Sequence, residues 1–279
     1  VQLFTHIYQL KLIPPTGNIN IYMSKYRKLT FLGTGTSNGV PVLGCRCEVC
    51  TSNDPHDSRL RTAAMIETES TRVLIDCGPD IRQQLMDKEF RKIDGVLVTH
   101  SHYDHVGGTD DLRPYCTFGD IPLYGNRQAV KGIKQMLPYC FTEDLYPGVP
   151  KLKLNTIEAG KPFSIGDINI LPIEVMHDKL PILAFRFDDV AYVTDIKSIT
   201  PQNLDMLRGV ETLIISALRW EKPHHSHILV SEAIEIARAT GAKQTYLTHL
   251  THKLGLHRLS ADRLPKDVSL AYDGLELTL

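Results

Sequence analysis

Three imidazoles and a carboxylate fall within six residues in Thr99-His100-Ser101-His102-Tyr103-Asp104-His105, directly after the apolar run Gly95–Thr99. A loop at a strand end can turn all four side chains towards one point. Neutral imidazole and carboxylate suit borderline divalent metals such as zinc, manganese or iron. Strongly hydrated groups have little structural reason to cluster beside a buried strand, so metal binding is the expectation. Further donors recur at the ends of other apolar runs. His177 follows Ile173-Glu174-Val175-Met176, Asp195 follows Ala191-Tyr192-Val193-Thr194, and His249 follows Thr245-Tyr246-Leu247-Thr248. Between His105 and His224 the only histidine is His177. Sheet ends are where a rigid scaffold collects ligand groups.

Two other clusters stand out. Cys45, Cys47 and Cys50 place three thiols within six residues, and a closed structural zinc site needs a fourth ligand. Pro223-His224-His225-Ser226-His227 adds three more imidazoles ahead of the last helix signal. The turn Gly33-Thr34-Gly35-Thr36-Ser37 offers backbone N–H groups, with Thr36 and Ser37 as candidate pocket contacts. It lacks the lysine of a phosphate-binding P-loop and does not match the dinucleotide fingerprint.

The elements that must position these residues alternate along the chain. Strand patterns run over Leu29–Leu32, Ala63–Thr68, Arg72–Ile75 and Gly95–Thr99. Two short strands flank Gly166-Asp167, and a hairpin pairs Ile182–Phe187 with Val190–Thr194 around Asp188-Asp189. Glu211–Ser216 and Gln244–Thr248 complete the strands, and Pro79–Lys88, Asn126–Met136 and Leu229–Thr240 read as helices, the last closed by Gly241. The alternation predicts layered α/β or α+β architecture. Residues 1–22 fit poorly with this pattern and read as an N-terminal extension outside the fold, with a domain over 23–279.

Composition excludes several classes. The formal net charge is -1, from 31 basic and 32 acidic residues in 279, which argues against bulk nucleic-acid binding. A small phosphorylated sugar or nucleotide held by a few local groups fits better. Arg113, Arg186, Arg219 and Lys253 are candidates for a distal phosphate. No run of about 18 apolar residues suggests a membrane span. The opening lacks a signal-peptide pattern, and the six cysteines are not spread as a disulfide framework, so cytoplasm is the expected location.

His100-x-His102-x-Asp104-His105 followed by His177, Asp195 and His249 resembles the signature of the metallo-β-lactamase superfamily, and Asp76 in Ile75-Asp76-Cys77-Gly78 matches its first motif. The resemblance covers about residues 28–252. It implies an αββα sandwich, an α+β fold of two mixed sheets face to face with helices outside. It implies two divalent metals, manganese or zinc. His100, His102 and His177 would hold one, and Asp104, His105 and His249 the other. Asp195 would bridge them and Asp76 would support a ligand. The cysteine loop with His252, three residues past His249, resembles the phosphoribosyl cyclic phosphodiesterase branch. That branch implies a structural zinc on Cys45, Cys47, Cys50 and His252, a homodimer, and a histidine that protonates the leaving alcohol.

His227, 22 residues before His249, resembles that acid in its spacing. His224 is the competitor and a pocket-shaping residue. A solvated imidazole has an ordinary pKa near working pH, which suits the role. The implied reaction is attack by hydroxide, shared between two cations, on a small cyclic phosphate. A tRNA 3′-processing nuclease is the first alternative. Its usual His-Glu-Ala-Thr motif is absent, since the sequence reads His227-Ile228-Leu229-Val230. A di-iron oxidoreductase of the same fold is the second.

Overall fold

The computed structural model describes residues 27–279. The extension read over residues 1–22 lies outside the described residues. In chain order the elements are β1 (Lys28–Gly33), β2 (Ala63–Glu67), β3 (Arg72–Ile75), α1 (Ile81–Leu85), β4 (Gly95–Leu97), α2 (Tyr103–Val106), β5 (Ile121–Gly125), α3 (Arg127–Met136) and β6 (Leu152–Thr156). The second half follows with β7 (Phe163–Ile165), β8 (Ile168–His177), β9 (Leu180–Phe187), β10 (Val190–Val193), α4 (Pro201–Asp205), β11 (Thr212–Ser216), α5 (Val230–Thr240), β12 (Gln244–Thr248), α6 (His257–Ala261), β13 (Val268–Leu270) and β14 (Glu276–Thr278).

The strands form two seven-stranded mixed sheets, ordered β14-β1-β2-β3-β4-β5-β6 and β13-β12-β11-β10-β9-β8-β7. In the first, β3 to β6 run parallel; in the second, β10 to β13 do. A strand covered on both faces has no polar side, which explains why β2, β3, β4 and β10 are buried at every position. One core lies between the sheets, built on Phe31, Phe185, Phe187, Tyr192 and Ile214. A second packs the outer face of the first sheet against α1 and α3, and a third packs the other sheet against α5. This is the expected αββα sandwich. Burying each large side chain of the central layer contributes roughly 1.5–3 kcal/mol.

Helix ends follow local chemistry. Asn126 Oδ1 accepts from Ala129 N at 2.8 Å to cap α3, Glu232 Oε2 accepts from Leu229 N at 2.7 Å at the start of α5, and Gly241 closes α5 at φ 75°. The expected helix over Pro79–Lys88 is shorter, because it starts only after Asp80. Strands β5 and β6 were not evident in the sequence: β5 carries Pro122, and β6 is a half-buried edge strand. Among the described residues no helix is long and apolar enough to cross a membrane.

Two features hold the loops that surround the metal-ligand candidates. In the first, Arg59, 5% exposed, donates to Thr34 Oγ1 at 2.7 Å, to the Ala271 carbonyl at 2.6 Å and to His257 Nδ1 at 2.9 Å. Asp57 accepts from His257 N at 2.6 Å, and Asp273 accepts from Leu60 N at 2.6 Å and Thr34 Oγ1 at 2.7 Å. The network ties the first loop, the segment after the cysteines and the C-terminal region together. In the second, Gly78 and Gly108 let three backbone segments meet. A Cβ on Gly78 would stand 2.0 Å from the Asp104 carbonyl oxygen, and one on Gly108 2.1 Å from the Gly78 carbonyl oxygen.

Two predictions follow from these contacts. Gly78→Ala should destabilise by about 2–4 kcal/mol, since neither opposing backbone can move aside cheaply, whereas Gly209→Ala (φ 77°, open space around it) should cost about 1 kcal/mol. Urea titration of both variants tests this, and equal losses would refute it. The second prediction concerns pH. Burial, then Arg59 and His56, push the His257 imidazole down to about 4, against Asp57 and Asp54; His56 stacks on its ring and Tyr272 meets its edge. A base whose folded pKa is depressed stabilises fully above its ordinary value near 6.5, and the contribution is lost as pH falls towards 4. Burial pushes Asp273 up to about 6, which acts in the opposite sense over the same window. The wild-type minus His257→Gln difference in urea midpoint therefore isolates the imidazole. It should shrink as pH drops from about 6.5 to 4; a flat difference would refute the neutral buried ring.

Candidate metal centre

The donors gather at one edge of the sandwich, where β3, β4, β8, β10 and β12 end. Asp76, Asp195 and His249 each sit just past a strand end with φ of 63°, 53° and 57°. A left-handed residue turns the chain sharply, so the side chain points over the sheet edge instead of along its face. Asp and His tolerate this region better than most non-glycine residues. Such strain is kept where the surroundings impose it, often at functional sites.

Asp76 is fully buried and organises two imidazoles. Its carboxylate accepts from Thr99 N at 2.9 Å, from Thr99 Oγ1 at 2.9 Å and from His105 Nδ1 at 2.6 Å. With the Thr99 hydroxyl donating to Asp76, its oxygen accepts from His100 Nδ1 at 3.0 Å. These bonds occupy Nδ1 of both rings and leave Nε2 as the nitrogen open to a cation. His177 is fixed the same way, its Nδ1–H shared between the carbonyls of Asp195 at 2.8 Å and Ser226 at 2.9 Å.

The ligand atoms of His100, His102 and His177 lie within 4.8 Å of one another, as do those of Asp104, His105, Asp195 and His249. Asp195 stands between the two groups: its Oδ1 is 3.2 Å from His249 Nε2, and its Oδ2 is 3.5 Å from His105 Nε2 and 4.0 Å from His100 Nε2. The donor set fits divalent cations on two counts. His105 Nε2 and His249 Nε2 are buried without a hydrogen-bond partner, which is costly unless something else satisfies them. His100 Nε2 also faces His102 Nδ1 at 3.0 Å, two lone pairs that a shared cation would reconcile. Burial works against ionisation of Asp104 and Asp195, but His105 and His249 outweigh it and hold both carboxyls well below the usual range. Burial likewise disfavours a charged His105, yet Asp195, Asp76 and Asp104 raise it well above its ordinary value.

His102, Asp104, His177, Asp195 and His249 open onto a cavity of about 480 Å³, also lined by Ser37, His224, His225 and His227. His227 lies 4.8 Å from His177 and 5.0 Å from His249, ring centre to ring centre. It is not the solvated imidazole of ordinary pKa anticipated from sequence. Burial, with His249 next, pushes it down to about 3, and its Nδ1 is buried without a partner. With His177 and Asp195 it forms a further group that could hold a metal. His224 Nδ1 accepts from Ser226 Oγ at 3.1 Å, and the residue lines the cavity.

Other candidates separate. Thr36 is buried, with its backbone N–H on the Leu250 carbonyl at 3.2 Å, and does not line the cavity. Arg113 pairs with Asp110 beside a different cavity, and Arg186 is held by the carbonyls of Asp188, Met206 and Arg208. Asp178 and Lys179, in the β8–β9 turn, line the cavity and escaped sequence reasoning; adjacency to His177 was the only signal.

Cys45, Cys47 and Cys50 bring their sulfurs to 3.3, 3.3 and 3.4 Å from His252 Nδ1. Tetrahedral zinc with ordinary Zn–S and Zn–N bonds would set such edges at roughly 3.5 Å, so this set fits one ion. The Cys50 backbone N–H, helped by His252, draws the Cys47 thiol down to about 6, while burial pushes Cys50 up to about 11. One thiolate is thus already favoured in the cluster.

Residues 71–250 match the Beta-lactamase superfamily domain. Over 246 residues the chain is 41% identical to a protein of Porphyromonas gingivalis named octanoyltransferase, covering 88% of this chain but only 50% of that one, so it spans half the length of this relative. It is 26% identical over 267 residues to the ribonuclease Z of Methanopyrus kandleri, covering 79% of this chain and 92% of that protein. The crystal structure of a diphosphatase from the PhnP family superimposes with a TM-score of 0.84 at 37% identity, covering 91% of this chain and 97% of that one. The chain belongs to the β-lactamase superfamily, as a metal-dependent hydrolase of the branch that holds this PhnP-family structure.

Proposed function

We propose that the protein is a two-metal phosphodiesterase that opens a small cyclic phosphate on a phosphorylated sugar or nucleotide. The observation that carries this reading is the placement of His227. It lines the same cavity as His102, Asp104, His177, Asp195 and His249, with its ring centre 4.8 Å from that of His177 and 5.0 Å from that of His249. In this reading His100, His102 and His177 hold one cation, Asp104, His105 and His249 the other, and Asp195 bridges them. Manganese or zinc would occupy these positions, and Cys45, Cys47, Cys50 and His252 would hold a structural zinc. The bound cations supply Lewis acidity and a water acidic enough to attack at neutral pH.

The chain's own residues do the rest. Asp76, through Thr99 and His105, keeps the ligand tautomers fixed so that no reorganisation is needed during turnover. His227 is neutral in the free protein and donates an N–H to the leaving oxygen. Once the anionic phosphate lies beside it, His227 takes up a proton from solvent, and the imidazolium passes that proton to the departing alkoxide as the P–O bond breaks. His224 and Ser37 line the same cavity and orient the non-reacting part of the substrate. The similarity to a PhnP-family diphosphatase supports phosphoryl chemistry. The relative named octanoyltransferase is only half covered by this chain, and an acyl-transfer activity would show itself as turnover of an octanoyl thioester.

The test is hydrolysis of bis(p-nitrophenyl) phosphate, a 2′,3′-cyclic nucleotide and p-nitrophenyl phosphate by manganese-loaded protein. Diesters should turn over and the monoester should not, and His227→Ala should lower kcat about 10²–10⁴-fold. Turnover of an octanoyl thioester with no diester hydrolysis would overturn the reading. Separately, Asp76→Asn should raise the metal concentration needed for half-maximal activity about 10–100-fold while leaving the saturated rate much less affected. An unchanged metal titration would remove Asp76 from its supporting role.

A further inference from the structure

The backbone around His227 is held as firmly as that of the metal-ligand candidates. The Ser226 carbonyl accepts from His177 Nδ1 at 2.9 Å, the His227 carbonyl from Lys197 Nζ at 3.3 Å, and the Ile228 carbonyl from Leu218 N at 3.0 Å. Three successive carbonyls are thus tied down, and the ring is presented with its centre 4.8 Å from that of His177. Its Nδ1 is nevertheless buried without a hydrogen-bond partner, the condition that also marks Nε2 of His105 and both ring nitrogens of His249. An unsatisfied buried group of this kind costs about 1–3 kcal/mol. The ligand atoms of His177, Asp195 and His227 lie within 4.8 Å of one another.

His177 decides which cation such a set would reach. Its Nδ1–H is taken by the carbonyls of Asp195 and Ser226, so Nε2 is the nitrogen it offers, and that nitrogen has one lone pair. His177 can therefore serve one cation. The set of His100, His102 and His177 and the set of His177, Asp195 and His227 surround the same ion. Catalytic metal sites keep a position for water or substrate. Here an imidazole stands within reach of that position.

We infer that His227 is a ligand of the cation held by His177 when no substrate is bound, and that a phosphate oxygen of the substrate displaces it. The exchange replaces one nitrogen donor with one oxygen donor and changes no oxidation state. It selects for ligands with a coordinating anionic oxygen, because a weakly coordinating neutral molecule leaves the imidazole in place. The freed ring then lies beside the phosphate, and only for its role there does the inference rest on the phosphodiesterase reading. Visible absorption of cobalt-loaded protein and competition with a chelator test the ligation, and neither needs turnover. Inorganic phosphate is the probe. It should change the wild-type spectrum, as oxygen replaces nitrogen. In His227→Ala and His227→Gln the phosphate-free spectrum should already differ from wild type. One active-site cobalt should bind at least about 10–100-fold more weakly in both, the loss typical even of a residue that only supports a ligand. Phosphate should bind both variants about tenfold more tightly, because no imidazole competes for the position. A ring that merely hydrogen-bonds phosphate predicts the opposite sign, with weaker binding in His227→Ala partly restored in His227→Gln, and that result would overturn the inference. Spectra and cobalt affinity indifferent to both substitutions would overturn it too. So would a stoichiometry at saturating cobalt that falls by one in His227→Gln, the mark of a separate third ion. If spectra and phosphate affinities behave as expected but no diester is hydrolysed, the ligand assignment stands and the reaction assignment falls. A working diesterase whose cobalt spectrum ignores His227 gives the reverse.

Discussion

Burial of charge at one end of a hydrophobic sandwich is the constraint on which the rest of the structure depends. His105, Asp195 and His249 are 0%, 2% and 1% exposed, and Asp76 is fully buried. Isolated, such groups would cost several kcal/mol each. Here Asp76 satisfies His105 on one side and the Thr194 hydroxyl satisfies Asp195, while neither ring nitrogen of His249 has a hydrogen-bond partner. Asp76 is the central partner, because it fixes one ring directly and another through Thr99. The protein thereby spends its hydrogen bonds on orientation and leaves the remaining lone pairs for cations.

The scaffold makes that arrangement rigid. Strand ends from both sheets meet at the edge, and the Thr99 carbonyl accepts from Leu183 N at 3.0 Å, which couples one sheet to the other beside the site. Left-handed turns at Asp76, Asp195 and His249 aim the side chains. The glycines at 78 and 108 allow the Asp104–His105 turn to sit directly against the Asp76 loop. The Arg59 network and the cysteine cluster anchor the outer loops.

Electrostatics also decides how the site handles protons. The imidazoles crowd one another, and burial keeps His227 neutral in the free protein.

Much of this was legible in the sequence. The His100–His105 cluster needs no tertiary information, because four donors within six residues must be close in any fold. The position of His177, Asp195 and His249 at the ends of apolar runs reflects a local property, the strand period, that folding preserves. The cysteine loop and His252 were paired through the family resemblance, and the structure does bring them together. The edge strands β6, β13 and β14 were not legible, since three to five residues acquire strand geometry only from a neighbour far away in the chain. Nor was the environment of His227, because a pKa depends on what packs around a ring and not on its sequence neighbours. The likeness of Arg113, Arg186, Arg219 and Lys253 in the sequence was resolved only by packing, which put two of them away from the site and two beside Trp220. Residue type and spacing determined which chemistry the chain could carry. Tertiary structure alone decided which groups are buried, which are paired and which remain free to meet a ligand, because those properties arise from contacts between segments distant in the chain.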